Sequence, residues 1–235
     1  MATANEISSF IHMIAPLTQK AYKALGKVKP SICIGMACIE SAYGTAPAMK
    51  KHNGFLGFKV GSGKTATKYW DGTFYKAKTS EEYQIGVHSV IVDAFRSYKS
   101  AEQCVFNFYE LLNTKLYSQV LSGSSYEDQM RQIKACGYMT SSTEVNSVLS
   151  VIKRYNLTIY DQIIKNPYKL TESSIYYGDR GEDVKWLQFN LNRSGADLKI
   201  DGIYGPLTKS AVLNFKKLHD LDSVVDLDTL KALIK

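Results

Sequence analysis

Residues Pro30 to Gly44, reading P-S-I-C-I-G-M-A-C-I-E-S-A-Y-G, constrain this chain more than any other stretch. Pro30 suits a first helical turn, where its missing N–H costs nothing, and Gly44 suits a left-handed stop. Nearly every residue between them is apolar or small, which predicts a helix buried on all sides rather than an amphipathic surface helix. Glu40 is the only ionisable side chain on it apart from the cysteines and Tyr43. A carboxylate near a helix C-terminus meets the negative end of the macrodipole, and burial disfavours its charge as well. Both effects are expected to keep it protonated toward neutral pH, which is what a general acid requires.

The 235 residues allow one large domain and a small one. Residues 1–165 are predicted to form an α+β domain, mostly helical with a small β-hairpin lobe. A linker is expected over 166–175, and a three-helix unit over 176–235. Helices are expected over 5–26, broken or kinked at Pro16, then from Ser100, over 125–136 and over 143–155. T-A-T-K-Y-W and T-F-Y-K-A-K flank Asp71-Gly72, a pair that favours tight hairpin turns. Glu81 and Glu82 then fall side by side on extended chain, so only one of them can face a given side. The H-N-G-F-L-G-F-K loop, with Asn53, Phe55 and Phe58, has the glycine–aromatic alternation of a cleft lining, although aromatic loops also build cores.

The net charge of +7 lies entirely in the first 174 residues, since 175–235 hold nine basic and nine acidic side chains. A basic face would be drawn to a polyanion. No phosphate loop, zinc-finger or RNA-binding motif points to nucleic acid. A bacterial wall with its carboxylates and teichoic phosphates is another candidate polyanion, and a generic basic surface is the plain alternative. The four histidines and four cysteines lack metal-ligand spacing. No metal or cofactor is expected, and the cysteines are expected to be reduced. No apolar run reaches the ~20 residues of a membrane span, so no membrane insertion is expected. The first residues lack the pattern of a signal peptide.

Several blocks then resemble, in order, the endo-β-N-acetylglucosaminidases of glycoside hydrolase family 73. I-G-M-A-C-I-E-S-A-Y-G is similar to that family's acid-bearing block, N-G-F-L-G-F-K to its N-N-L-F-G-I-K, and T-S-E-E-Y to its T-x-E-Y. A-F-R-S-Y-K-S and C-G-Y-M-T resemble two further blocks. Cys38, Ala42 and Tyr43 stand where the family has Ala, Gly and Trp, and Gly54 replaces an Asn. The resemblance implies a lysozyme-like fold that cuts peptidoglycan between N-acetylglucosamine and N-acetylmuramic acid. It implies Glu40 as general acid, Glu82 as second carboxylate with Glu81 as the alternative, and Tyr138 lining the cleft. Tyr43, Asn53, Phe55, Phe58 and Glu81 are the implied substrate contacts. A muramidase or lytic transglycosylase of the same fold, or a wall-binding protein without activity, are the rival readings.

Residues 176–235 resemble the type 1 peptidoglycan-binding domain through G-D-R-G-E-D-V-K-W-L-Q and D-G-I-Y-G-P-L-T-K-S-A-V. The resemblance implies wall contact at Asp201, Gly202, Tyr204 and Gly205, unless that loop is only a turn between helices. Trp186 is expected in the core. The combined layout suggests a monomeric phage endolysin, held in the host cytoplasm until holin-type release, with a bacterial autolysin as second choice.

Overall fold

A computed structural model describes residues 2–61, 67–84, 87–139, 141, 143–162, 166–172, 174–194 and 196–218, with the side chains of 81–88 and 218 outside that description. The chain divides into two compact units, 1–163 and 164–235.

In the first unit, α1 (Ala4–Leu25) opens with a capping box between Thr3 and Glu6. It runs unbroken through Pro16, where a kink or break was expected, and Gly26 ends it. The central helix α2 (Pro30–Glu40) buries every residue from Pro30 to Cys38. Its exposed N-terminal donors are satisfied from distant chain. Ser31 N donates to Asp161 Oδ1 at 2.7 Å, and Lys29 N donates to Gln129 Oε1 at 3.0 Å. Helix α6 (Glu144–Arg154) packs against Gly35, where a Cβ would meet Ile152 Cγ1 at 3.0 Å. Helices α3 (Pro47–His52), α4 (Ala101–Leu112) and α5 (Tyr126–Ala135) complete the unit, with short 3-10 turns at Lys115–Tyr117 and Leu157–Asp161. Cys33, Cys38 and Cys104 are buried free thiols, and Cys136 is a half-buried one.

A two-stranded antiparallel ribbon, β1 (Phe74–Gln84) and β2 (Val87–Arg96), projects from this body. The strands pair as far as Gln84 with Val87, so Asp71-Gly72 does not join them as the sequence suggests. The reason is local. Asp71 Oδ1 accepts from both Thr73 N and Thr73 Oγ1, closing an Asx turn that leads into β1. Residues before Asp71 are drawn inward instead of pairing. Trp70 lies against Arg96, 4.6 Å from ring centroid to guanidinium carbon, and Tyr69 packs on Phe106.

The ribbon's foot is stitched to residues 58–60. Arg96 N donates to Phe58 O and Val60 N to Ala94 O, both at 2.8 Å, and Arg96 Nε donates to Lys59 O at 3.1 Å. Arg96 is only 1% exposed and reaches Asn107 Oδ1 with Nη1 at 3.3 Å.

The second unit, taken by itself, contains α7 (Glu182–Arg193) and α8 (Pro206–Leu218) around a core of Ile175, Val184, Trp186, Leu187, Leu191, Tyr204, Val212 and Phe215. The third predicted helix, from Asp226 onward, lies outside the described residues. The 198–205 connection is organised by Gln188, 2% exposed on α7. Its Nε2 donates to Asp201 Oδ1, Ile203 O and Thr208 Oγ1, and its Oε1 accepts from Gly202 N at 2.9 Å.

Candidate active site

Helix α2 ends at Glu40, four residues before the predicted stop at Gly44. Ser41 caps it, and Ala42, Tyr43 and Gly44 all take left-handed φ of 49°, 58° and 72°. The reversal is held by Tyr43 N donating to Cys38 O at 2.8 Å and Gly44 N donating to Ser41 Oγ at 2.7 Å. Ala42 and Tyr43 adopt backbone that costs about 1–2 kcal/mol each for a residue with a Cβ. The expectation of a helix through residue 44 fails here because neither side chain announces such a conformation.

Glu40 is half-buried at the junction of the grease-lined helix and this turn. The loop after α3 approaches it with bare backbone. Gly57 sits at φ +63°, and a Cβ on it would lie 2.4 Å from Glu40 Oε2 and 3.1 Å from Cδ. Tyr138, just past α5, lies on the same side. Burial first, and the neighbouring Glu40 charge second, hold its phenol well above the usual value, so it stays neutral. Its hydroxyl points to Leu56 O at 3.4 Å, and its ring meets Phe58, Phe108 and Tyr117 within 6.2 Å. Glu40, Gly57 and Tyr138 therefore form one cluster, although 98 positions of sequence separate the first from the last.

The remaining candidates divide. Tyr43 is half-buried, edge-on to Tyr155 at 5.9 Å, and burial raises its phenol above the usual range. Asn53 ends α3 in left-handed backbone and donates from Nδ2 to Tyr98 O at 3.1 Å, a brace between α3 and the chain after β2. Phe55 is 5% exposed and packs on Phe10 at 5.5 Å, so it belongs to the core and not to a cleft wall. Phe58 is likewise buried, beneath Tyr138 and Tyr98. The alternation of glycine and aromatic residues draws attention to the rings of this loop, yet the rings turn into the core. Gly57, with no side chain, is what meets the carboxylate.

Glu81 and Glu82 lie in β1, paired with Ser89 and His88. Their side chains lie outside the described residues, but the register separates their faces. Glu81 is in phase with Tyr75, Ala77, Thr79, Ile91 and Asp93, all partly covered. On that face Tyr75 stacks on His52 at 4.3 Å and Asp93 pairs with Lys59 at 3.2 Å. Glu82 is in phase with Lys76, Lys78, Val90 and Val92, all exposed. The strand's irregularity falls after this pair, between Glu82 and Gln84.

In the second unit Gly202 and Tyr204 are buried, and Asp201 spends its carboxylate on Gln188 and Ile203 N. Gly205 N donates to Ile203 O. Gln188 thus engages the D-G-I-Y-G loop from within, while Asp201 and Ile203 stay exposed. Trp186 is core, as expected.

Comparison with known proteins bears on the family and the fold. Residues 180–233 match the family model of a peptidoglycan binding domain. Peptidoglycan hydrolase FlgJ of Pseudomonas aeruginosa is 28% identical over 159 residues, covering 65% of this chain and 37% of that protein. Exo-glucosaminidase LytG of Bacillus subtilis is 24% identical over 165 residues, covering 68% and 55%. The chain thus spans roughly a third to just over half the length of these relatives. In structure, the catalytic domain of the autolysin Auto from Listeria monocytogenes superposes with a TM-score of 0.54 at 22% identity, covering 68% of this chain and 90% of that one. A peptidoglycan hydrolase mutant from Sphingomonas sp. A1 gives 0.54 at 23% identity, covering 65% and 97%. These two likenesses concern the fold, which is the lysozyme-like one predicted. Residues 15–157 match the model of a family described as mannosyl-glycoprotein endo-beta-N-acetylglucosaminidase, and with more than half of its length matched the chain belongs to that glucosaminidase family.

Proposed function

We propose that the protein hydrolyses the β-1,4 bond after N-acetylglucosamine in peptidoglycan, with Glu40 giving its proton to the leaving oxygen. The observation that carries this reading is the seat of Glu40. It is a half-buried carboxyl at the end of a buried helix, pressed against backbone at Gly57 and flanked by a neutral phenol at Tyr138. Glycoside cleavage needs that proton donor and a second group to help the oxocarbenium-like centre. The Glu81–Glu82 pair on the ribbon would supply the second carboxylate, acting as base on water or orienting the substrate's own acetamido group. Glu82, which directly precedes Tyr83 and lies thirteen residues before Phe95, is the residue we assign to that role, with Glu81 as the alternative.

The second unit would hold the enzyme on the wall. A catalytic unit joined to a wall-binding one is the layout of a phage endolysin released through a holin-type pore. The test is mass spectrometry of borohydride-reduced digests of purified walls. Reduced N-acetylglucosamine ends are expected. N-acetylmuramic ends or anhydro products would replace the reading with a muramidase or a lytic transglycosylase. Glu40→Gln should abolish clearing while wall binding persists, and Glu82→Gln should impair it more than Glu81→Gln, the reverse ranking reassigning the role to Glu81.

A further inference from the structure

In the second unit the chain turns Ile175 into the core, 2% exposed, and then leaves two consecutive aromatic rings outside. Tyr176 is 60% exposed and Tyr177 59%. Their backbone is not loose. Tyr176 N donates to Asp179 Oδ2 at 2.7 Å, Asp179 N to Tyr176 O at 3.0 Å, and Gly178 N to Tyr204 O at 3.0 Å. The Tyr177 ring rests edge-on against buried Tyr204 at 6.2 Å, and Lys209 Nζ lies 5.1 Å from its centroid. Folding thus fixes the ring beside a cation without covering it.

Aromatic side chains cost little conformational entropy to present and offer a flat apolar face, while a phenol edge stays wet. An adjacent ammonium adds selectivity for a ligand that carries negative charge near its stacking face. A hexosamine strand carrying acidic stem peptides has both features: C–H-lined sugar faces and peptide carboxylates beside them. We infer that Tyr176, Tyr177 and Lys209 form a wall-contacting surface of this unit, the rings taking the glycan of peptidoglycan and the ammonium a carboxylate of its stem peptide. The inference rests on reading the unit as wall-binding.

The test uses the full chain with Glu40→Gln, so that walls stripped of anionic polymers are not digested, and measures sedimentation with them. The Tyr176→Ala/Tyr177→Ala variant is expected to raise the half-saturating concentration about 10-fold, while Tyr177→Phe stays within about twofold. Lys209→Ala should raise it by a smaller factor that shrinks with added salt. In the Glu40-intact chain, the same tyrosine variant should cleave soluble glycan fragments at the parental rate. Equal sedimentation of the alanine variant and its parent would overturn the inference while leaving the wall-binding reading standing. A parent that fails to sediment would overturn both.

Discussion

Gly57→Ala tests the idea that bare backbone shapes the acid's seat. Two costs are predicted, and they can be separated. Left-handed φ of +63° penalises any Cβ by about 1–2 kcal/mol. The new methyl would also stand 2.4 Å from Glu40 Oε2, about 1 Å inside ordinary carbon–oxygen contact. Either the carboxyl swings away or the loop retreats, and a misplacement of about 1 Å in a reacting group costs on the order of 100-fold in rate. Gly61 supplies the control. It has nearly the same φ, +57°, with nothing among the described residues within 4 Å of its would-be Cβ. Both alanine variants should lower the melting temperature by a few degrees, about 2–4 °C per kcal/mol for a chain of this size. Only Gly57→Ala should lower the rate of wall clearing by about 100-fold, with sedimentation on walls intact. If Gly57→Ala clears walls at the rate of Gly61→Ala, the argument that Gly57 sets the carboxyl's position is refuted.

Ala42, exposed at φ 49°, gains nothing from its methyl, so Ala42→Gly should raise the melting temperature by about 2–4 °C through relief of about 1 kcal/mol of strain. Gln188→Leu should destabilise the second unit by about 2–4 kcal/mol in denaturant titration, because it strands the buried Gly202 N–H and frees Asp201. Burial raises the carboxyl of Asp161 above its ordinary 3.8 despite its bonds to Ser31. The folded state therefore holds that proton to higher pH than the unfolded chain. The stability this contributes is full below pH 3.8 and is lost as pH rises through the raised folded value. Melting curves of wild type and Asp161→Asn should show the wild type's relative stability falling over that window.

The sequence was most legible where one local rule decided the outcome. Proline at the first turn and an unbroken apolar run located α2, and the serine cap at Ser100 placed α4. It was least legible where distant partners decided. Asp71-Gly72 has hairpin chemistry, yet Arg96 draws Trp70 inward and the strands pair elsewhere. Phe55 and Phe58 lie on the site loop, but Phe10 and Tyr98 claim their rings. In the D-G-I-Y-G motif nothing local tells that Gln188, 14 positions earlier than Gly202, sits beneath it and buries Gly202 and Tyr204. Gly57 left no positive signal, because its contribution to the site is a missing side chain.

The anchoring of the ribbon has a mechanical consequence. Eight residue steps separate Phe74 from Glu82, about 27 Å of extended strand held at its root by Arg96. Such a cantilever amplifies: about 10° of pitch at the clamp carries its far end about 5 Å. Small changes at the clamp would then set how high the far end of the arm stands.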